Sequence, residues 1–143
     1  MIFLTVSVLA LSFPGCGKKE NTSDRTLRVG IVTYTQDDPF INTMTEQIRE
    51  DLKLKESKDM KILVSVKNGD NDQRDQDELV EEMIAAGCDV LCVNLVDRTA
   101  PSDIIKAARQ EKIPVIFFNR EPVKEDLMQW DKLYYVGCDA EQS

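Results

Sequence analysis

From residue 27 onward, short apolar β-branched runs alternate with longer amphipathic segments, and this rhythm constrains the fold more than any other feature. The runs are residues 27–34, 61–67, 90–96, 113–118 and 133–136. Strands this apolar have both faces covered, as when crossover helices pack on a parallel sheet. The intervening segments carry the helical period. Phe40, Ile41, Met44, Ile48 and Leu52 recur at three- and four-residue spacing, one stripe against a sheet. Leu79, Val80, Met83 and Ile84 repeat the pattern, as do Ile104, Ile105, Ala107 and Ala108 within residues 100–110. Local chemistry marks the ends. Asp38-Pro39 supplies a cap and a first-turn proline, Asp72 with Asp75 opens the second helix, and Gly87 closes it. Residues 53–61 read as a charged turn and those from Pro122 to Lys132 as irregular chain. The expected fold is α/β, a doubly wound parallel sheet with right-handed crossovers.

In such a sheet the carboxyl ends of the strands line the ligand cleft. Four groups collect there: Asp37 and Asp38 after the first strand, residues 68–72 after the second, Asn94 with Asp97 at the third, and Asn119, Arg120 and Glu121 after the fourth. Acids and amides with nearby aromatics, Tyr34 and Phe40, suit a neutral polyhydroxylated ligand. Carboxylates and amides bond hydroxyls, and an aromatic face covers the apolar side of a sugar ring. Each residue has a structural alternative. Asp38 serves equally as a helix cap, Phe40 as core, Asn94 as a buried amide with protein partners, and residues 68–72 as a solvated turn.

Composition removes several functions. A net charge of −8 and no basic run longer than Lys18-Lys19 leave nothing to hold nucleic acid. The absence of histidine excludes His-based triads and imidazole acid–base chemistry. Neither a Gly-rich phosphate loop nor paired CxxC motifs occur. Cys88 and Cys92 fall at a helix end and in an apolar strand, the places of small buried hydrophobes.

Residues 1–13, MIFLTVSVLALSF, form an uncharged apolar run too short for a mature membrane span and suited to a signal-peptide core. Pro14-Gly15-Cys16 then places a small residue before a cysteine. This resembles a lipoprotein signal (1–16), in which Cys16 is lipidated and residues 17–26 form a flexible tether. A plain secretory signal is the alternative. Both put the protein outside the cytoplasm.

A receiver-like phosphoacceptor domain is a remote alternative, since it too places acids at these strand ends. It needs an aspartate closing the third strand and a lysine closing the fifth. Asn94 and Val136-Gly137 stand there instead.

Five ordered motifs carry a closer resemblance: VGIVTYTQDDPF (29–40), NGDNDQ (68–73), CVNLVDRTA (92–100), PVIFFNREP (114–122) and DKLYYVGCD (131–139). Together they resemble the type I periplasmic sugar-binding proteins. The resemblance implies a non-enzymatic, exported protein of two α/β lobes closing over one sugar. Residues 27–132 would form the N-terminal lobe, and residues 133–143 would begin the crossover to a second lobe beyond Ser143. The family's calcium site would lie there too, so these 143 residues are expected to hold no cofactor. The implied ligand is a hexose, galactose or glucose, passed to the permease subunits of an ABC importer, with a chemotaxis receptor as an additional partner. Another sugar, of ribose or xylose type, or a sensory role is the alternative. In the matching positions Asp38 bonds sugar hydroxyls, Phe40 stacks on the ring, Asn94 is a further ligand and Tyr34 lies near the cleft. A monomer is implied, touching the membrane only through a lipid anchor at Cys16.

Overall fold

The computed structural model describes residues 25–138, so the leader, Cys16 and most of the tether lie outside it. Within it, β1 (Arg25–Thr33), β2 (Met60–Asn68), β3 (Val90–Val93), β4 (Val115–Phe118) and β5 (Leu133–Val136) form one sheet. All neighbours are parallel, in the order β2-β1-β3-β4-β5. The helices are α1 (Pro39–Leu54), α2 (Gln73–Ala85), α3 (Ser102–Gln110) and a single turn, α4 (Lys124–Leu127).

The strand order reverses between β1 and β3, and helices cover both faces. On one face α1 packs Met44, Ile48 and Leu52 against Val29, Ile31, Ile62 and Phe118. On the other, Val80 and Met83 of α2 with Ile104, Ile105 and Ala108 of α3 meet Val32, Leu91, Val93, Val115 and Phe117. Alternate residues of β1 thus enter opposite cores, which is why its sequence shows almost no polar face. Gly30 is tightly packed against the side chains of this second face. A methyl group there would lie 3.0 Å from Cys88 Sγ, 3.1 Å from Leu91 Cδ2 and 3.3 Å from Met83 Sδ.

The helix boundaries follow the local signals. Asp38 caps α1 and Asp72 caps α2, each through its carboxylate, and Gly87 takes the left-handed turn past α2 with φ of +81°. Strand ends differ more from expectation. β1 begins at Arg25 because its amide bonds Asp59 and it pairs with Met60, so Arg25 and Thr26 are sheet rather than tether. β3 stops at Val93, three residues early, because after the Asn94 amide bonds Val32 of β1 the Gln76 side chain, not a strand, takes the Asn94 carbonyl and the Val96 amide. β4 starts at Val115, since the Ile113 amide bonds Ala108 at the end of α3 and Pro114 has no N–H. α3 begins at Ser102 behind Pro101, not at residue 100, and α1 runs on to Leu54, into the expected charged turn. α4 occupies part of the expected irregular segment. β5, expected at the start of the crossover, is hydrogen-bonded to β4 as the edge of the sheet.

Cys88 is buried as expected. Cys92 is half-buried, its thiol pushed up to about 11 by loss of water, and neither forms a disulfide. No helix among the described residues is long and apolar enough to cross a membrane. Replacing Gly30→Ala should destabilise the fold by about 1–3 kcal/mol through overpacking against Cys88, Leu91 and Met83, read as a lower urea midpoint. An unchanged midpoint would mean that these three side chains stand further from Gly30 or move aside without cost.

Candidate functional site

The reversal of strand order between β1 and β3 opens a crevice at their carboxyl ends, the place where open α/β sheets hold ligands. Three loops meet there: residues 34–38 after β1, 94–101 after β3 and 119–123 after β4.

The first loop turns sharply because polar side chains take its backbone groups. Buried Thr35 accepts from the Asp37 amide at 3.2 Å and from Asn71 Nδ2 at 3.3 Å, tying the loop to the one after β2. Asp38 then opens α1. Its Oδ1 accepts from the amides of Phe40 (2.8 Å) and Ile41 (3.4 Å), while Oδ2 accepts from the Tyr34 hydroxyl at 2.7 Å. The Tyr34 bond is the largest influence and holds the Asp38 carboxyl below its ordinary value; burial, the next, pushes upward, and the two helix amides and then Arg120 oppose it. The same bond raises the Tyr34 phenol. Asp38 is therefore an anion at neutral pH.

Phe40 does not join the inward stripe of α1. Its ring is 61% exposed, while Ile41 next to it is wholly buried. Adjacent helix positions lie about 100° apart, and the inward line runs through Ile41 and Thr45. The expectation of Phe40 as core is corrected: an aromatic face stands in solvent two residues from the Asp38 carboxylate.

Asn94 lies just past the end of β3 and is wholly buried. Its amide nitrogen donates to the Phe118 carbonyl at 3.1 Å and its Oδ1 has no protein partner. Gln76, also wholly buried, donates to the Asn94 carbonyl and accepts from the Val96 amide, both at 3.0 Å. Gln73 Oε1 accepts from the Asp97 amide at 2.8 Å. Two side chains of α2 thus complete the loop that follows β3.

Arg120 spans the crevice. Its guanidinium lies 3.7 Å from the centroid of the Tyr34 ring, and its Nη1 donates to the carbonyls of Val96 (2.9 Å) and Leu95 (3.2 Å). Arg98 Nε reaches the Glu121 carbonyl at 2.6 Å, and Asp97 accepts from both the amide and the hydroxyl of Thr99. An open concavity of about 660 Å³, lined by Val96, Asp97, Arg98, Thr99, Arg120 and Val123, lies on the β3–β4 side of Arg120.

The structure therefore brings Tyr34 and Asp38 into direct contact, sets Phe40 exposed beside them, and places Asn94 beneath the surface rather than in the opening. Gln76 is the residue that sequence inspection failed to single out, and Arg120, counted among the groups at the strand ends, was given no role there. Gln76 had a signal: it sits three and four residues before Leu79 and Val80, where the helical period demands an inward side chain. Arg120 had a weaker one, a cation in an exit loop otherwise made of acids and amides. Residues 68–72 are largely the solvated turn expected, with Asp70 and Asn71 in the left-handed region.

Comparison with known proteins agrees with this geometry. Residues 29–143 match the periplasmic binding protein domain, and the chain belongs to that family. It is 33% identical over 116 residues to the D-galactose/methyl-galactoside binding periplasmic protein of Haemophilus influenzae, covering 81% of this chain and 34% of that one. It is 26% identical over 125 residues to the ribose import binding protein of Bacillus subtilis, covering 83% and 39%. Among solved structures, a carbohydrate transporter solute binding protein from Chloroflexus aurantiacus, in complex with D-glucose, superposes with a TM-score of 0.62 at 28% identity over 80% of this chain and 31% of that one. The chain thus spans about a third of the length of these relatives. Membership of a family of solute-binding proteins makes it a binding domain and not an enzyme.

Replacing Gln76→Leu should strand the Asn94 carbonyl and the Val96 amide without partners. Each unpaired buried group costs about 1–3 kcal/mol, so a loss of about 2–4 kcal/mol is expected in urea denaturation. A loss below about 1 kcal/mol would show that water reaches this layer.

Proposed function

We propose that this chain is the N-terminal lobe of an exported hexose-binding protein, taking galactose or glucose and delivering it to the permease of an ABC importer. The observation that carries the reading is the pairing at the head of α1: an anionic carboxylate, Asp38, beside an exposed aromatic ring, Phe40. A sugar offers hydroxyls to the first and a C–H face to the second. Asp38 Oδ1 is occupied by the helix amides and Oδ2 by Tyr34, but each oxygen keeps lone-pair capacity for a ligand hydroxyl. Asn94 contributes the acceptor Oδ1, which no protein donor satisfies and which a sugar hydroxyl would fill.

The lengths of the relatives support a second lobe beyond Ser143, with the sugar enclosed between the two and hinge closure signalling the permease. The relative named for galactose favours a hexose, while the one named for ribose makes a pentose the nearest competitor. Residues 1–16 would direct export, with lipidation at Cys16 anchoring a monomer to the membrane by residues 17–26. A chemotaxis receptor would be an additional partner for the closed form.

Calorimetric titration of the full-length protein with D-galactose, D-glucose, D-ribose and D-xylose tests this. Saturable heat is expected for at least one hexose, with the pentoses weaker; no heat for either hexose at millimolar sugar would sink the proposal. Replacing Asp38→Ala should abolish hexose binding while lowering the thermal midpoint by only a few degrees. A variant with the same thermal loss but full affinity would make Asp38 a helix cap and nothing more.

A further inference from the structure

We infer that Arg120 is the positioning residue of this site, a clamp that holds Tyr34 on Asp38 and so fixes the carboxylate for its ligand. This rests on the sugar-binding role proposed for Asp38. Its support is a chain of contacts through three loops. The guanidinium donates to the carbonyls of Leu95 and Val96, anchoring it to the loop after β3. The Arg120 amide bonds the Phe118 carbonyl at 2.7 Å, and the preceding Asn119 adopts a φ of +61°, so the turn out of β4 aims the side chain back across the sheet. Its Cζ then sits over the Tyr34 ring, 3.7 Å from the centroid, and the hydroxyl of that ring is on Asp38 Oδ2 at 2.7 Å.

The geometry suits arginine in particular. A guanidinium donates within its plane and stacks through its face, so one group can grip two carbonyls and cover a ring at once. A lysine ammonium, a hydrated point charge, cannot do both. Nothing else described at this edge links the β1 loop to the loops after β3 and β4 through a side chain. Without Arg120 the Tyr34 ring, only partly buried, would have its hydroxyl's bond to Asp38 as its one recorded polar tie.

Two consequences separate this role from direct contact with the ligand. If Arg120 acts through Tyr34, removing it matters only while Tyr34 can reach Asp38. If Arg120 bonds the sugar itself, its removal costs the same whatever stands at position 34. The phenol supplies an independent sign. Asp38 raises the Tyr34 phenol above 10.0 and Arg120 lowers it, so the two neighbours act in opposite directions. Loss of the cation alone would raise the phenol further; loss of the contact with Asp38 would let it fall back.

The test uses the full-length protein in four forms: wild type, Arg120→Ala, Tyr34→Phe and the double variant, with Arg120→Lys as a fifth. Galactose affinity by calorimetry should drop about tenfold for Arg120→Ala in the wild-type background and less than about twofold in the Tyr34→Phe background, the non-additivity of groups acting as a unit. Equal losses in both backgrounds would overturn the inference. Phenol absorbance is then titrated without sugar, each Tyr34→Phe form serving as the blank for Tyr134 and Tyr135. The Tyr34 phenol should shift down toward 10.0 in Arg120→Ala; an upward shift or none would contradict the clamp. Arg120→Lys should resemble Arg120→Ala in both readouts, and wild-type behaviour would show that charge alone suffices. If Arg120→Ala does not fold, the lysine variant carries the same two measurements. The readings fail separately: a wild type that binds no hexose removes the functional proposal, whereas the sugar-free titration decides the clamp.

Discussion

A parallel sheet leaves backbone donors and acceptors without partners where its strands end, and each such group must be paired or reach water. The carboxyl edge of this sheet is organised by how side chains meet that demand. Gln76 takes the Asn94 carbonyl and the Val96 amide where β3 has run out of neighbours. Asn94 pairs the Phe118 carbonyl at the end of β4, and Arg120 pairs those of Leu95 and Val96. Asp38 takes the first free amides of α1. The groups gathered here are thus fixed first by backbone pairing, and the capacity to bind is what remains to them afterwards.

That remainder has a definite chemistry. Asp38 stays anionic because the Tyr34 hydroxyl and the helix amides donate to it and together outweigh the upward push of burial. Phe40 stays in solvent because Ile41 has taken the inward position. Asn94 keeps one buried acceptor without a protein partner. An anion, an apolar face and an unmet acceptor are the features on which the proposed sugar site rests. They offer no nucleophile paired with a base, and no cluster of three metal-ligating side chains occurs among the described residues.

Much of this was legible in the residues, because much of it is local. Asp38-Pro39, Asp72 and Gly87 announce helix ends by chemistry confined to a few neighbours, and all three hold. The alternation of strand and helix gave the parallel sheet and its two covered faces. What escaped depends on distant partners. Residues 94–96 look like more strand because Leu95 is apolar and wholly buried, yet it is buried without strand pairing, which no local pattern reveals. Phe40 fits the spacing of an inward stripe as well as Ile41 does, and only the approach of the sheet chooses between them. The contact of Arg120 with Tyr34 joins residues 86 positions apart in sequence, and nothing in either loop foretells it.

The central claim is that a sugar meets this lobe at the head of α1 and the ends of β3 and β4. Backbone hydrogen exchange of the full-length protein, with and without saturating D-galactose, tests it most directly. The expected result within residues 25–138 is slowed exchange confined to residues 34–42, 94–98 and 119–121, with β2 and the amino ends of the strands unchanged. Protection centred elsewhere on the lobe, or none at a sugar concentration that saturates the protein, would contradict it.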